Sequence, residues 1–400
     1  MTRAISKVSI QSQGGFSLVE MLIAMALGLI VLGAAVQIYV QGLGATWRVS
    51  QRAQLQQDFR AASNMLTKDL SLAGAGLSPG TAIALPSGAT PKYGCDQSAC
   101  YLNGVAGTYP IQSGTPYLYG LITGYNLGPT LLAAQGPTDV ITVIYTDSSF
   151  YLNCYVPSVT TAHKVTFSQP TPAAPLTWTT DGCLPSGVAT PQAVNDAAVG
   201  LTTGDLVMLT LGGTTVVVEV TGAVTTGTDA NGNTTYKVPF ANGDALNMNQ
   251  TAAGYLLNGI QNSATGAFSP APCGGTAACR LLVVTYYIDN TTSPPRLMRQ
   301  VSGHSPMAVA ENLAYLKFSY DLFNSTTTAA AIGCSNPGAG TDGCSGASSG
   351  LLPNQITKIN ILNMAMTSTM TSAVGNGYQG LSLQTSVSAR NLTYTNNYPN

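Results

Sequence analysis

The stretch GGFSLVEMLIAMALGLIVLGAAVQIYV, from Gly14 to Val40, decides how the rest of the chain is read. About 20 consecutive apolar residues suffice to cross a bilayer core as helix, and no charged residue occurs from Met21 to Trp47. The segment can therefore span a membrane. An ordinary secretory signal places its small-residue cleavage site after the apolar core. Here the small pair Gly14-Gly15 comes before it, so a cut at that point leaves the hydrophobic helix on the mature chain as an anchor. Arg3 and Lys7 keep the short leader cytoplasmic by the positive-inside rule, which directs the C-terminal bulk to the periplasm.

Glu20 is the odd residue of this segment. A carboxylate within an apolar helix costs roughly 2.5–3.5 kcal/mol on insertion scales and normally has a partner. Cleavage after Gly15 creates a free α-amine on Phe16, one helical turn from Glu20, and a neighbouring subunit's amine is a suitable partner. The plainer alternative is a carboxylate reaching for the headgroups near the helix end. The glycine junction and its spacing to Glu20 favour the first reading.

Gly15-Phe16-Ser17-Leu18-Val19-Glu20, followed by a long apolar run, resembles the class III signal of type IV pilins and type II secretion pseudopilins. The resemblance implies that a prepilin peptidase cuts after Gly15, that Phe16 is then N-methylated, and that Glu20 guides assembly. Three further segments resemble the PilW family of minor pilins, itself related to the pseudopilin GspJ. They are Gln56–Ala62 in the helix, Ala308–Tyr320, and the closing Ser386-Val387-Ser388-Ala389-Arg390-Asn391. In a major pilin a proline is common at the position held here by Gln37, and the head is smaller, so the departures favour a tip position over the repeated shaft.

Beyond the membrane, Leu55, Phe59, Ala62, Leu66, Leu70 and Ala73 recur on one face of a 3.6-residue period, with Gln, Asp, Arg and Lys on the other. Gly74, Gly76 and Pro79 stop the helix. Four segments follow: a leader at 1–15, a transmembrane and assembly helix at 16–40, its amphipathic extension at 41–76, and a β-rich head at 77–400. The fold expected is α+β and pilin-like, with a long helix packed on an antiparallel head.

Only 8% of residues are charged and the net charge is −1, so no electrostatic footprint for nucleic acid exists. Eight cysteines, an even number beyond an export-type segment, point to an oxidising compartment. Proximity in sequence suggests the pairs Cys95–Cys100, Cys154–Cys183, Cys273–Cys279 and Cys334–Cys344. Zinc is the competing use of cysteine pairs, but the two histidines, His163 and His304, lie beside none of them.

Strands are expected at Asp139–Tyr145, Asp205–Leu211, Thr214–Val220, Tyr236–Phe240 and Leu281–Ile288, and further on at Arg296–Val301, Leu313–Tyr320, Ile356–Met366 and Leu381–Ala389. Gly212-Gly213 reads as a two-residue hairpin turn. The polar stretches 80–135, 157–200 and 324–350 read as long loops. Asp229-x-Asn231-x-Asn233 looks like half a calcium loop, but a calcium loop needs Gly at its sixth position and an acidic residue at its twelfth. Thr234 and Phe240 stand there, so the segment reads as a hairpin turn joining Val216–Val220 to Tyr236–Phe240.

No catalytic motif accompanies these elements, and neither histidine has a visible partner in sequence. The expected function is structural and non-enzymatic, without metal or cofactor: a minor pilin that helps start or cap a filament. Its expected partners are other minor pilins and the major pilin, the prepilin peptidase, the inner-membrane assembly platform and a tip adhesin. The alternatives are a type II secretion pseudopilin and, from another class, a tip adhesin that itself binds a surface ligand.

Overall fold

The computed structural model describes residues 15–77, 82–86, 90–112, 114–150, 152–160, 164–168, 192–211, 214–230, 232, 234–249, 278–324, 329–337, 351–367 and 380–392. One α-helix, Leu18–Ser71, leads into a head of antiparallel strands, an α+β arrangement. Among the described residues the chain divides into two compact units, one of residues 15–54 and the other of those from Leu55 onward.

In the first unit the apolar side chains from Phe16 to Val49 are exposed. By length and composition this part of the helix can cross a membrane, which is where exposed apolar surface of that extent is stable.

In the second unit the expected helix face is the buried one. Leu55, Ala62, Leu66, Leu70 and Ala73 enter the main core with Phe59 packed beside them. They meet Leu121, Val143, Val284 and Tyr286 of one sheet and Leu316, Phe318 and Ile359 of another. Left-handed backbone at Gly74 and Gly76 ends the helix and turns the chain onto the sheet, where Gly74 N–H bonds the Ile144 carbonyl at 2.9 Å. No larger residue suits Gly74, since a Cβ there would lie 2.7 Å from Leu392. Asn391 finishes the cap by donating its amide to the Ser71 carbonyl at 3.2 Å, satisfying one orphan acceptor of the last turn.

The central sheet has seven strands, organised around the twelve-residue strand Ala278–Asp289. Leu281 pairs with both Leu206 and Thr146, so Leu206–Leu211 and Val140–Thr146 lie on opposite sides of it. Val284 likewise pairs with both Val143 and Val301, so Leu206–Leu211 and Arg296–Val301 share one edge. Where these two strands abut, backbone meets backbone: Gly303 N–H bonds the Gly204 carbonyl at 2.8 Å. A Cβ on Gly204 would stand 2.9 Å from the Gly303 carbonyl oxygen. Thr214–Glu219 and Met307–Glu311 are the outer strands of this path, and Leu121–Gly124 pairs with Val140–Thr146.

A second sheet runs in the order Ala329–Cys334, Leu313–Asn324, Ile356–Thr367, Gly380–Ser388. The chain passes to it from Met307–Glu311 through Asn312, whose φ of 63° is a conformation that asparagine tolerates better than most residues. The Ala308–Tyr320 segment is thus one bent run serving two sheets. Asp139 ties the sheets together: its N–H bonds the Leu316 carbonyl, and its carboxylate accepts from Phe318 N–H at 3.0 Å and Lys317 Nζ at 2.7 Å.

All nine expected strands are present with ends shifted by a few residues. Three expectations need correction. The polar stretches hold strands of their own, including Thr115–Leu118, Leu121–Gly124, Lys164–Ser168 and Ala329–Cys334. The hairpin turn at Gly232 joins Thr225–Thr228, not Val216–Val220, to Thr234–Pro239, because Thr214–Glu219 is already paired with Leu206–Leu211 through the expected Gly-Gly turn. Asp69 does not share the helix's polar face but is buried.

Cys95 and Cys100 form the expected disulfide. Cys154, Cys279 and Cys334 are each disulfide-bonded as well. Their expected partners Cys183, Cys273 and Cys344 lie outside the described residues, as do His163, Asn231 and Asn233.

Candidate assembly site at the start of the helix

Gly15 and Phe16 precede the first helical residue, and Phe16 is 90% exposed. A Cβ added at Gly15 would meet nothing within 4 Å. The chain's own packing does not demand glycine there, so any demand for a small residue comes from whatever handles that bond.

Ser17 and Glu20 close on each other. Ser17 N–H donates to Glu20 Oε2 at 2.9 Å, and Glu20 N–H donates to Ser17 Oγ at 3.1 Å. This reciprocal pair is a capping box, with Ser17 at the N-cap and Glu20 at the third helical position. Two orphan N–H groups are satisfied in one arrangement, and a carboxylate sits at the positive end of the helix dipole. From the sequence, the candidate partners of Glu20 are an intersubunit amine and the headgroups. The structure adds a third: its own helix start. An ionised carboxylate has about four acceptor positions, so the capping bond leaves capacity for another donor.

The helix beyond Glu20 supplies the rest of the site. Its polar interruptions, Gln37 and Gln41, are exposed with their apolar neighbours. A family model described as "Prokaryotic N-terminal methylation motif" matches residues 10–36. The chain carries a prepilin signal. That signal makes it type IV pilin-like or pseudopilin-like at its N-terminus, and implies processing by a prepilin peptidase and assembly in the membrane with pilins. With the apolar helix it fits a single-pass, membrane-anchored protein. No curated protein and no solved structure matches the chain.

In the head, His304 is not the unpartnered residue expected: its Nε2 lies 2.9 Å from Asp205 Oδ1, closing the junction beside Gly204 and Gly303. Asp96, inside the Cys95–Cys100 loop, gathers Tyr101 Oη at 2.7 Å, Ser305 Oγ at 2.8 Å and the N–H groups of Ser98 and Ala99. Burial opposes its ionisation, but these donors prevail and hold its pKa down at about 2. Among the described residues, no group of three or more His, Cys, Asp or Glu is placed to hold a metal ion.

Sequence reasoning missed the cluster built on Asp69, which joins Tyr145, Tyr286 and Arg299. No local spacing could have revealed it, because the partners come from three separate strands far from Asp69 in the chain.

Proposed function

We propose that this chain is a minor pilin that takes part in starting or capping a type IV pilus. The observation that carries the reading is the prepilin signal at residues 10–36 opening an apolar helix that bears a large, disulfide-bonded head. The peptidase cuts between Gly15 and Phe16, and Phe16 receives the methyl group. The freed helix then packs among like helices, with Glu20 offering its remaining acceptor positions to the Phe16 amine of a neighbour. The head stands in the periplasm before assembly and outside the cell afterwards, an oxidising setting in keeping with its disulfides. Its size suits a filament end, where it meets other minor pilins, and the role is structural and not enzymatic.

Deleting the gene and restoring it with Glu20→Val tests the assembly role. The variant is expected in the membrane at normal amount, because an intramembrane charge has been removed, while filaments per cell fall. Normal filament number would contradict the role given to Glu20. A pseudopilin carries the same signal, and loss of secretion with filaments intact in the deletion strain would assign the chain to that machine.

A further inference from the structure

Lys317, Asn126 and Asp139 form a cluster that plays no part in the assembly site. Lys317 lies within strand Leu313–Asn324 of the second sheet. Asn126 is in the turn that follows Leu121–Gly124 of the central one. Lys317 Nζ donates to Asn126 Oδ1 at 2.5 Å and to Asp139 Oδ1 at 2.7 Å. The amine therefore touches a carboxamide oxygen and a carboxylate at once, and the carboxamide carbon is one bond further on.

Backbone holds the three groups in place. Asp139 N–H donates to the Leu316 carbonyl and Asp139 Oδ2 accepts Phe318 N–H at 3.0 Å, so the residues on either side of Lys317 clasp Asp139. Asn126 N–H donates to Asp139 Oδ1 at 2.9 Å, and Gly128 N–H bonds the Thr138 carbonyl at 2.9 Å to close the base of the same loop. The Tyr125 ring covers the amine, its centroid 4.8 Å from Nζ. The Asp139 side chain is 3% exposed and that of Lys317 14%. Keeping an ion pair this far from water is costly, and moving a proton from Lys317 to Asp139 cancels both charges. The neutral amine that results is a nucleophile held against a carboxamide. Asn126 is exposed, which leaves a way out for its nitrogen.

We propose that Lys317 and Asn126 join in an intramolecular isopeptide bond, with Asp139 carrying the protons. Lys317 Nζ attacks Asn126 Cγ, the Nζ–Cγ bond forms and the Cγ–Nδ2 bond breaks. The Lys317 ammonium gives up two protons in all. Asp139 passes both to the departing nitrogen, which leaves as ammonium, and is itself returned to the carboxylate. No oxidant or cofactor enters. The bond joins residues 191 positions apart in the chain and ties the central sheet to the second by a clip that reductants do not open. Closing so long a segment restricts the unfolded chain more than a short clip does.

The test takes the full chain from detergent micelles, reduces it, digests it with trypsin and sequences the peptides by mass spectrometry. The wild type should yield a branched peptide in which Asn126 is joined to Lys317, lighter by one ammonia than its two parts, with no cleavage after Lys317. Lys317→Arg keeps the charge but not the nucleophile, and should give linear peptides and a lower thermal midpoint. Asn126→Gly, which suits the positive φ of 59°, serves the same purpose if Lys317→Arg does not fold. Asp139→Asn retains an acceptor for Phe318 N–H but cannot relay protons, and should also stay linear. Linear peptides alone from the wild type, with cleavage after Lys317, would overturn the bond. A branched peptide formed as fully in Asp139→Asn would overturn the proton relay.

Discussion

Arg299 Nε donates to Asp69 Oδ2 at 2.7 Å, joining the last turn of the helix to the strand Arg296–Val301. Asp69 is only 3% exposed, and it also accepts from Tyr286 Oη at 2.6 Å and Tyr145 Oη at 3.2 Å. Burial, with the Asp69 charge adding to it, pushes the Tyr145 hydroxyl up to about 12 and Tyr286 further. All three donors therefore keep their protons over the whole physiological range. One carboxylate thus holds the helix, Val140–Thr146, Ala278–Asp289 and Arg296–Val301 in register.

Removing that carboxylate strands a guanidinium and two hydroxyls. Asp69→Ala is expected to destabilise the head by about 3 kcal/mol, the lower end of what breaking a buried pair costs, because Arg299 keeps some access to water. Denaturant titration of the full chain in micelles measures it. A loss below about 0.5 kcal/mol would show that the cluster adds nothing beyond packing.

The glycine junction makes a second prediction. Gly303→Ala places a Cβ 2.8 Å from Glu219 Oε1 and 3.0 Å from the Gly204 carbonyl oxygen. Overpacking of this kind costs about 1–3 kcal/mol, and the thermal midpoint of the variant should drop accordingly. Gly104→Ala, where a Cβ meets nothing but φ is +76°, separates backbone strain from crowding and should cost less.

Much of this architecture was legible in the sequence. The helix face from Leu55 to Ala73 announced itself by period, and β-branched runs located the central strands, because both signals depend only on neighbours in the chain. Sheet membership was hidden. Nothing at Asn312 states that the chain changes sheets there, and Asp69 sat among polar residues that do face solvent. The turn at Gly232 was visible, yet its first strand, Thr225–Thr228, has a mostly exposed pattern that no apolar alternation betrays. At the N-terminus the prepilin signal was plain, whereas the Ser17–Glu20 capping box was overlooked because a partner was sought beyond the chain.

Acid should loosen the loop at Cys95–Cys100. The Asp96 carboxylate is held down at about 2, below its ordinary 3.8, so its contribution is present above about pH 4 and is lost as pH falls through about 2. Asp96→Asn should weaken this acid dependence. Amide exchange of Ser98 and Ala99 as a function of pH, corrected for intrinsic rates, reads it directly, and equal profiles in both proteins would refute the assignment.

The capping box predicts a local effect. Ser17→Ala removes the hydroxyl that receives the Glu20 N–H, at a cost of about 1 kcal/mol to the helix start. Exchange at Val19 and Glu20 should quicken in micelles while membrane insertion is unchanged. Unaltered exchange there would mean that the bilayer, and not the box, sets the first turn.

The reading as a whole rests on a cut between Gly15 and Phe16, and intact-mass and N-terminal peptide mass spectrometry of protein taken from its native membrane tests it most directly. The account predicts a mature chain beginning with N-methylated Phe16, and a Gly15→Val chain that keeps its leader although its own packing has room for the larger side chain. A native chain that retains residues 1–15, or one cut C-terminal to the apolar helix, would contradict it.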